Sequence, residues 1–144
     1  MSAVPTLNER RTMAEKTRAT ATWKEGLAFT IKVRGHELTT DLPPAKGGKD
    51  LGPTPPELLL AALAACSGIF AKMFADREGL PAEGIEAVAE AETLQSPMRL
   101  GNFTVRVHIP GLPEEKRSKA RAFVEGCLVG QTLKVANSVS LELS

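Results

Sequence analysis

The chain has 144 residues and a mass of 15.4 kDa, which is the size of one domain and leaves no room for a separate cofactor domain. Hydrophobic residues make up 42% and charged residues 24%, which is typical of a soluble globular protein and excludes a disordered chain or a membrane bundle. A net charge of +1 and 4% aromatic residues argue against nucleic-acid or membrane partners.

The N-terminal third of the chain predicts an arm, three strands and a loop. Residues 1–16 are polar and of mixed charge, without the apolar core of a signal peptide, so they predict an arm on a cytoplasmic protein. Residues 17–144 are predicted to form one domain. Apolar residues alternate between 17 and 41, which predicts three strands with turns at 24–26 and Gly35. Residues 42–54 (LPPAKGGKDLGPT) predict a loop.

A long helix is the strongest predicted element. Thr54 is a helix N-cap residue, Pro55 suits the first helical position, and Glu57 completes a capping box. Residues 58–71 are apolar on almost every side. This run is shorter than the ~20 residues that span a bilayer, so it predicts a buried central helix. The helix is predicted to end before Gly79.

The remaining pattern predicts a strand pair, a second helix and a last strand. Residues 85–94 and 102–109 alternate, with turn signals at Ser96-Pro97 and at Gly101-Asn102. A helix beginning at Pro113 is predicted to bury Ala120, Phe123, Val124, Cys127 and Leu128. Residues 135–143 predict a closing strand. The order βββ-α-ββ-α-β with antiparallel hairpins indicates an α+β fold.

Two cysteines are the residues most open to chemistry. The sequence has no nucleotide-binding glycine motif, no hydrolase elbow and no paired zinc-ligand spacing, and the separated His36, His108, Cys66 and Cys127 make a zinc site improbable. Cys66 lies on the apolar stripe of the central helix. Both thiols fit two interpretations, as small buried hydrophobes or as an attacking and a resolving redox pair. Periodicity does not decide between them.

A family resemblance bears on this choice. The segment GPTPPELLLAALAACSGIFAKMFADREGL resembles the central helix of the OsmC/Ohr family, the osmotically inducible and organic hydroperoxide resistance proteins. TWKEGLAFTIKVRGHELTTDLP resembles the N-terminal strands of that family, and CLVGQTLKVANSVSLEL resembles its C-terminal stretch. The resemblance extends over residues 17–144 and is nearest to the broader OsmC-like branch.

The resemblance implies a fold and a reaction. It implies an intertwined homodimer in which two long helices form the core, antiparallel sheets wrap them, and the active sites lie at the interface. It implies reduction of organic hydroperoxides to alcohols, without metal, haem or flavin and with a dithiol reductant. Cys66 matches the peroxidatic cysteine and Cys127 the resolving one.

The sequence departs from the family at the cation that activates the attacking thiol. Apolar surroundings favour a neutral thiol, so a thiolate needs a nearby positive charge. The reductases use an Arg in one of two places, which here hold Lys24 and, in the loop before the helix, Lys46 and Lys49. Arg18 and Arg34 lie nearby without matching either place. Arg18 and Lys46 are taken as the candidate cations, although Lys cannot form the planar fork of Arg. Glu57 lies one residue later than the family Glu that binds the Arg, so a capping role and a catalytic role both stay open.

Three hypotheses therefore compete. The first is a thiol peroxidase, the second a non-peroxidase dimer that binds a ligand or senses thiols, and the third a structural pair of buried cysteines. A cation within reach of an accessible Cys66 favours the first, and a large apolar pocket without one favours the second. Cysteine Cα atoms more than ~7 Å apart weaken the first, because such a pair cannot bridge without backbone movement.

Overall fold

A computed structural model describes residues 3–4 and 16–144 of the chain. The predicted arm therefore lies outside the described residues, except for Ala3, Val4 and Lys16. The chain forms two compact units that divide between Thr54 and Pro55. Each unit is described by itself.

The N-terminal unit contains an antiparallel sheet in the order β1-β2-β3. Its strands are Thr20–Glu25 (β1), Ala28–Val33 (β2) and His36–Thr40 (β3), which confirms the alternation in the sequence. The first turn lies slightly later than predicted, because Gly26 adopts a φ of 51° that glycine accepts without steric cost.

One consequence of this sheet is an exposed set of large apolar side chains. Trp23 pairs with Phe29 across β1 and β2, and Trp23 is 64% exposed. Phe29, Leu27 and Leu38 are also exposed. Neighbouring exposed apolar side chains of this size are typical of a surface that another chain or ligand covers.

The central helix, α1, covers Pro55–Glu78, so both predicted ends are confirmed. Gly79 follows with a φ of 67°. The Leu80 amide donates to the Ala75 carbonyl at 2.8 Å and the Gly79 amide to the Asp76 carbonyl at 3.4 Å. This pair of bonds is the Schellman arrangement, in which a left-handed glycine satisfies the last helical carbonyls.

Within the single chain, helix α1 is buried on one face only. The buried positions are Leu63, Ser67, Ala71, Phe74 and Ala75. Outside this face Leu59, Ile69 and Met73 are exposed. The helix is long and apolar enough to cross a membrane by length and composition alone, but the core helix of a soluble protein has the same composition.

Strands Glu86–Leu94 (β4) and Arg99–His108 (β5) form an antiparallel hairpin that packs on α1. The turn predicted at Gly101-Asn102 is wrong, because both residues lie inside β5. The register shifts there, opposite residues 90–92, and Asn102 has a φ of 51°. Glycine and asparagine mark β-bulges as well as turns, which explains the error.

The predicted second helix is divided into three pieces. A 3₁₀ turn at Glu114–Lys116 leads into Arg117–Val124 (α2), and Leu128–Lys134 (α3) follows after a break. The break contains Gly126, whose amide turns back to the Phe123 carbonyl at 3.2 Å. Cys127 was predicted to lie on the buried stripe of the second helix. It lies instead at the start of α3.

The core of the C-terminal unit lies where α1, β5 and α2 meet. Its buried residues are Ala71, Phe74, Ala75, Ile109 and Ala120. The ring of Phe123, from α2, lies 5.8 Å from that of Phe70 and 5.9 Å from that of Phe74. This packing fixes α2, and with it the start of α3, against α1.

The last predicted strand is not formed. Residues 135–144 have no regular secondary structure, and Val139, Leu141 and Leu143 are among their most exposed side chains. A strand needs a neighbour to pair with its backbone, and residues 135–144 pair with no strand in the described part of the chain. We call residues 135–144 the C-terminal segment.

Candidate functional site

Cys66 lies in the middle of α1, on the same side of the helix as the exposed residues Ile69 and Met73. It is half-buried and free of any disulfide. The buried face of α1 passes through its neighbour Ser67, which is 3% exposed. Cys66 thus lies on an apolar helix at a position that solvent still reaches, as an attacking thiol requires.

Cys127 is the more deeply buried thiol, at 2% exposure. It is the N-cap residue of α3, and its Sγ accepts a hydrogen bond from the Gly130 amide at 3.3 Å. Its Sγ also lies 3.8 Å from Ser67 Oγ. The structure therefore brings Cys127 against the residue that follows Cys66 in the chain, although the two cysteines are 61 positions apart.

A groove of about 960 Å³ opens beside Cys127 within the C-terminal unit. Leu63 and Ser67 of α1 line it, with a series of apolar side chains from β5, α2 and α3. These are Phe103, Val105, Val107, Ile109, Leu112, Ala120, Val124 and Leu133. A groove with this lining is suited to an apolar molecule or an apolar segment of chain.

Cationic side chains stand among the groove residues. They are Arg117, Arg121 and Lys134. Arg117 pairs with Glu114 at 3.1 Å and Arg121 with Glu125 at 3.0 Å, all four side chains being well exposed. Exposed pairs of this kind contribute ~0–1 kcal/mol, so they leave both guanidinium groups available to an anionic group in the groove.

Glu57 lies in the exposed first turn of α1, nine positions before Cys66. In an α-helix nine positions correspond to about 13.5 Å along the axis and about 180° around it. The two side chains of one chain therefore project from opposite faces of α1. This geometry favours the capping role of Glu57.

Lys46 ends a 3₁₀ turn, Pro44–Lys46, and its side chain is exposed. The loop around it is organised by Asp41, which is 2% exposed. The Asp41 carboxylate accepts hydrogen bonds from the amides of Leu42 at 2.7 Å, Lys49 at 3.1 Å and Leu51 at 3.2 Å. The loop is thus a closed structure, which presents Lys46 from a defined backbone.

The charge of Asp41 follows from this arrangement. Burial alone would raise its pKa, but the three backbone hydrogen bonds and the Lys49 ammonium outweigh burial and hold the pKa below its usual value of 3.8. A side chain at position 48 would place its Cβ 1.8 Å from the Leu42 carbonyl oxygen. Gly48 is therefore required for the loop to close on the carboxylate.

Arg18 is an exposed residue that precedes β1. It belongs to the N-terminal unit with Lys46, whereas Cys66, Cys127 and Glu57 belong to the C-terminal unit. Among the described residues, no three His, Cys, Asp or Glu side chains lie close enough together to hold a metal ion.

Sequence reasoning missed Ser67 and Gly130 as neighbours of the Cys127 sulfur, and Asp41 as the centre of its loop. Ser67 has a weak signal, because it lies between Leu63 and Ala71 at the four-residue spacing of a buried helical face. Asp41 also has a signal, since an Asp before a Gly-rich loop commonly accepts bonds from backbone amides. Nothing local marks Gly130.

The C-terminal two thirds of the chain match a known family. Residues 47–143 match the family described as OsmC-like protein. The chain belongs to the OsmC family. No curated protein matches the chain.

Solved structures show that this OsmC chain has the OsmC/Ohr fold. The OsmC-like protein from Mycoplasma pneumoniae is 24% identical, with a TM-score of 0.68, and the match covers 85% of this chain and 89% of that one. The organic hydroperoxide resistance protein OsmC from Legionella pneumophila is 21% identical, with a TM-score of 0.65 and coverage of 83% and 90%. The organic hydroperoxide resistance protein OhrB of Bacillus subtilis is 22% identical, with a TM-score of 0.57 and coverage of 83% and 91%.

Proposed function

We propose that this OsmC protein is a cytoplasmic thiol peroxidase that reduces organic hydroperoxides to alcohols and protects against oxidative stress. One observation carries the proposal. Both cysteines of the C-terminal unit are free thiols, and the buried Cys127 contacts Ser67, the residue that follows the half-buried Cys66 on α1. Relatives of the same fold include organic hydroperoxide resistance proteins.

The proposed reaction has three steps. The Cys66 thiolate attacks the outer oxygen of the hydroperoxide, the O–O bond breaks, and the alkoxide takes a proton and leaves as the alcohol. The Cys66 sulfenic acid is then attacked by the Cys127 thiolate, which forms the disulfide and releases water after proton uptake. A dithiol reductant restores both thiols by exchange, and is itself oxidised to a disulfide.

The positive charge that activates Cys66 is proposed to come from Arg18 or Lys46. Both side chains are exposed, and Lys46 stands on the closed loop around Asp41. A cation stabilises a thiolate in an apolar setting, where the neutral thiol is otherwise favoured. Replacing each residue by Gln separately identifies which one acts. Loss of the activating cation should slow the attack of Cys66 on the hydroperoxide, whereas loss of the other residue should not.

The protein is proposed to act as a homodimer. The exposed face of α1, with Leu59, Ile69 and Met73, and the exposed apolar side chains of the N-terminal sheet both support this. A single chain leaves these apolar surfaces exposed to water, whereas a second copy of the chain would bury them. The C-terminal segment, which has no strand neighbour in the described chain, gives further support.

The experiment that tests the function compares two cysteine variants with wild type. With cumene hydroperoxide as substrate, Cys66→Ser should consume none. Cys127→Ser should consume one equivalent rapidly and then stop, leaving a trappable sulfenic acid and poor turnover with a dithiol. The two variants control for each other, since both replace a thiol by a hydroxyl. Consumption by Cys66→Ser at the wild-type rate would overturn the proposal.

The groove favours a second candidate function, a dimer that binds a ligand or senses thiols. Its volume of about 960 Å³ and its apolar residues suit an apolar ligand, and Arg117, Arg121 and Lys134 would pair with an anionic group on that ligand. This candidate predicts binding of an apolar fluorescent probe that a Cys66→Ser variant retains. Retained binding together with absent hydroperoxide consumption in wild type would replace the peroxidase proposal with this one.

A further inference from the structure

The hydrogen-bonding environment of the Cys127 sulfur contains a residue with no role so far. Ser67 is 3% exposed, and its Oγ lies 3.8 Å from Cys127 Sγ. This is the long end of the range for a hydrogen bond to sulfur. Of the described residues, only Cys127 offers this hydroxyl a side-chain partner. A polar group buried in α1 thus faces a thiol rather than another oxygen or nitrogen.

The sulfur has a second neighbour on a different element. The Gly130 amide donates to Cys127 Sγ at 3.3 Å. A Cβ at position 130 would lie 3.1 Å from the same sulfur, so a glycine allows this close approach. The sulfur is therefore held between a hydroxyl from α1 and an amide from α3.

We propose that Ser67 is a positioning residue for Cys127, whose thiolate it stabilises together with the Gly130 amide. This inference deepens the proposed peroxidase function and rests on it. Hydrogen bonds donated to a charged acceptor are shorter and stronger than those to a neutral one. The contact between Ser67 Oγ and the sulfur should therefore tighten when Cys127 carries the negative charge.

The charge appears on Cys127 twice in the reaction. When the disulfide closes, the Cys127 thiolate attacks Cys66 Sγ, the S–S bond forms, the S–O bond breaks, and the departing hydroxide takes a proton. When the disulfide opens, a reductant thiolate attacks Cys66 Sγ and the electron pair of the S–S bond goes to Cys127 Sγ. The second thiol of the reductant then displaces Cys66. Because Cys127 is the stabilised leaving group, the mixed disulfide forms on Cys66.

The test measures the two halves of the first turnover separately. One equivalent of cumene hydroperoxide is added, its consumption is followed, and disulfide closure is read by rapid quenching and mass spectrometry. In Ser67→Ala, closure should slow about tenfold relative to consumption, as expected for loss of one hydrogen bond to a charged group. Ser67→Thr, which keeps the hydroxyl, should restore closure to within about threefold of wild type.

Ser118→Ala is the matched control, because it makes the same change at an exposed position of α2. It should leave both steps at the wild-type rate. Closure in Ser67→Ala as fast as in wild type would overturn the inference. So would slow closure in a Ser67→Thr protein whose melting temperature equals that of wild type.

A second arm keeps this test independent of the proposed function. Diamide oxidises two thiols to a disulfide and is reduced to the hydrazine, so it closes Cys66–Cys127 without hydroperoxide. Ser67→Ala should slow closure by diamide by the same factor. If wild type consumes no hydroperoxide, the proposed peroxidase function is refuted. If Ser67→Ala still closes the disulfide with diamide more slowly than wild type does, the role of Ser67 stands independently of that function.

Discussion

At the scale of single residues, the two thiols differ in access to solvent. Cys66 is half-buried, while Cys127 is 2% exposed and accepts a backbone hydrogen bond. A hydroperoxide must reach the first thiol from outside, whereas the second thiol needs to meet only the oxidised first one. The order of burial therefore agrees with attack by Cys66 and resolution by Cys127.

Glu57→Gln tests whether Glu57 caps α1 or takes part in catalysis. Gln can still reach back to the Thr54 amide in a capping box, and Glu57 projects from the face of α1 opposite Cys66. We therefore expect a nearly unchanged melting temperature and a hydroperoxide reduction rate within about twofold of wild type. A rate lower by an order of magnitude at unchanged melting temperature would instead show that Glu57 is the ion-pair partner of the cation that activates Cys66.

Asp41→Asn tests the loop that carries Lys46. An amide has only one oxygen, so the variant cannot accept all three backbone hydrogen bonds. We expect the melting temperature at pH 7 to fall by about 5 °C. Asp50→Asn is the control, since it makes the same change at an exposed position of the same loop, and should change the melting temperature little.

The pH dependence of that difference follows from the lowered pKa of Asp41. Because the folded pKa lies below the unfolded value near 3.8, the stabilisation is complete above that value and is lost as the pH falls through the folded pKa. The difference in melting temperature between wild type and Asp41→Asn should thus stay constant from pH 7 to 5 and shrink below about pH 4. A difference that already shrinks near pH 6 would contradict this assignment.

At the scale of elements, the C-terminal end of α1 depends on one glycine. Gly79 has a φ of 67°, and a Cβ there would meet no atom within 4 Å, so an Ala costs backbone strain without crowding. We expect Gly79→Ala to destabilise the protein by about 1 kcal/mol and to lower its melting temperature by about 2–4 °C.

Gly35→Ala is the control for Gly79→Ala. A Cβ at position 35 likewise meets no atom within 4 Å, but the φ of Gly35 lies outside the left-handed region. The melting temperature of Gly35→Ala should therefore stay near that of wild type. Equal melting temperatures for the two variants would show that the Schellman cap does not stabilise the end of α1.

The elements that the sequence predicts well are those with local signals. The ends of α1 follow from Thr54-Pro55 and from Gly79, and the first three strands follow from alternation and short turns. The prediction of a closing strand at residues 135–143 was wrong, because strand formation depends on a distant partner that the residues themselves do not reveal. The break before α3 was not predicted, because Gly126 weakens a helix but does not determine where the next helix begins.

The candidate site divides in the same way. Resemblance to the family predicts roles for Cys66 and Cys127 from short motifs. The contact between Ser67 and Cys127 joins residues 60 positions apart, and only the packing of α1 against the start of α3 creates it. Asp41 is a comparable case, because its three backbone partners lie as much as ten positions further along the chain.

At the scale of the whole molecule, the exposed apolar surface predicts self-association. Ile69 is 55% exposed on the outer face of α1. If a second copy covers that face, Ile69→Glu places an unpaired charge in the interface, and it should weaken dimerisation at least tenfold in sedimentation equilibrium. Ser118→Glu adds the same charge to the exposed face of α2 and should leave the dimer intact.

Wild type that remains monomeric at micromolar concentration would contradict the dimer. An Ile69→Glu variant that dimerises as strongly as wild type would show that the outer face of α1 is not the interface. Either result would leave the exposed residues of α1 to be explained by a different partner.

The most direct test of the central claim is mass spectrometry of the wild-type protein after one equivalent of organic hydroperoxide. The account predicts a loss of two hydrogens from the intact chain and a single cross-linked peptide pair that joins Cys66 to Cys127. An unchanged mass, or oxygen added to Cys66 with Cys127 still a free thiol and no disulfide at any time, would contradict the proposal that these two cysteines act together.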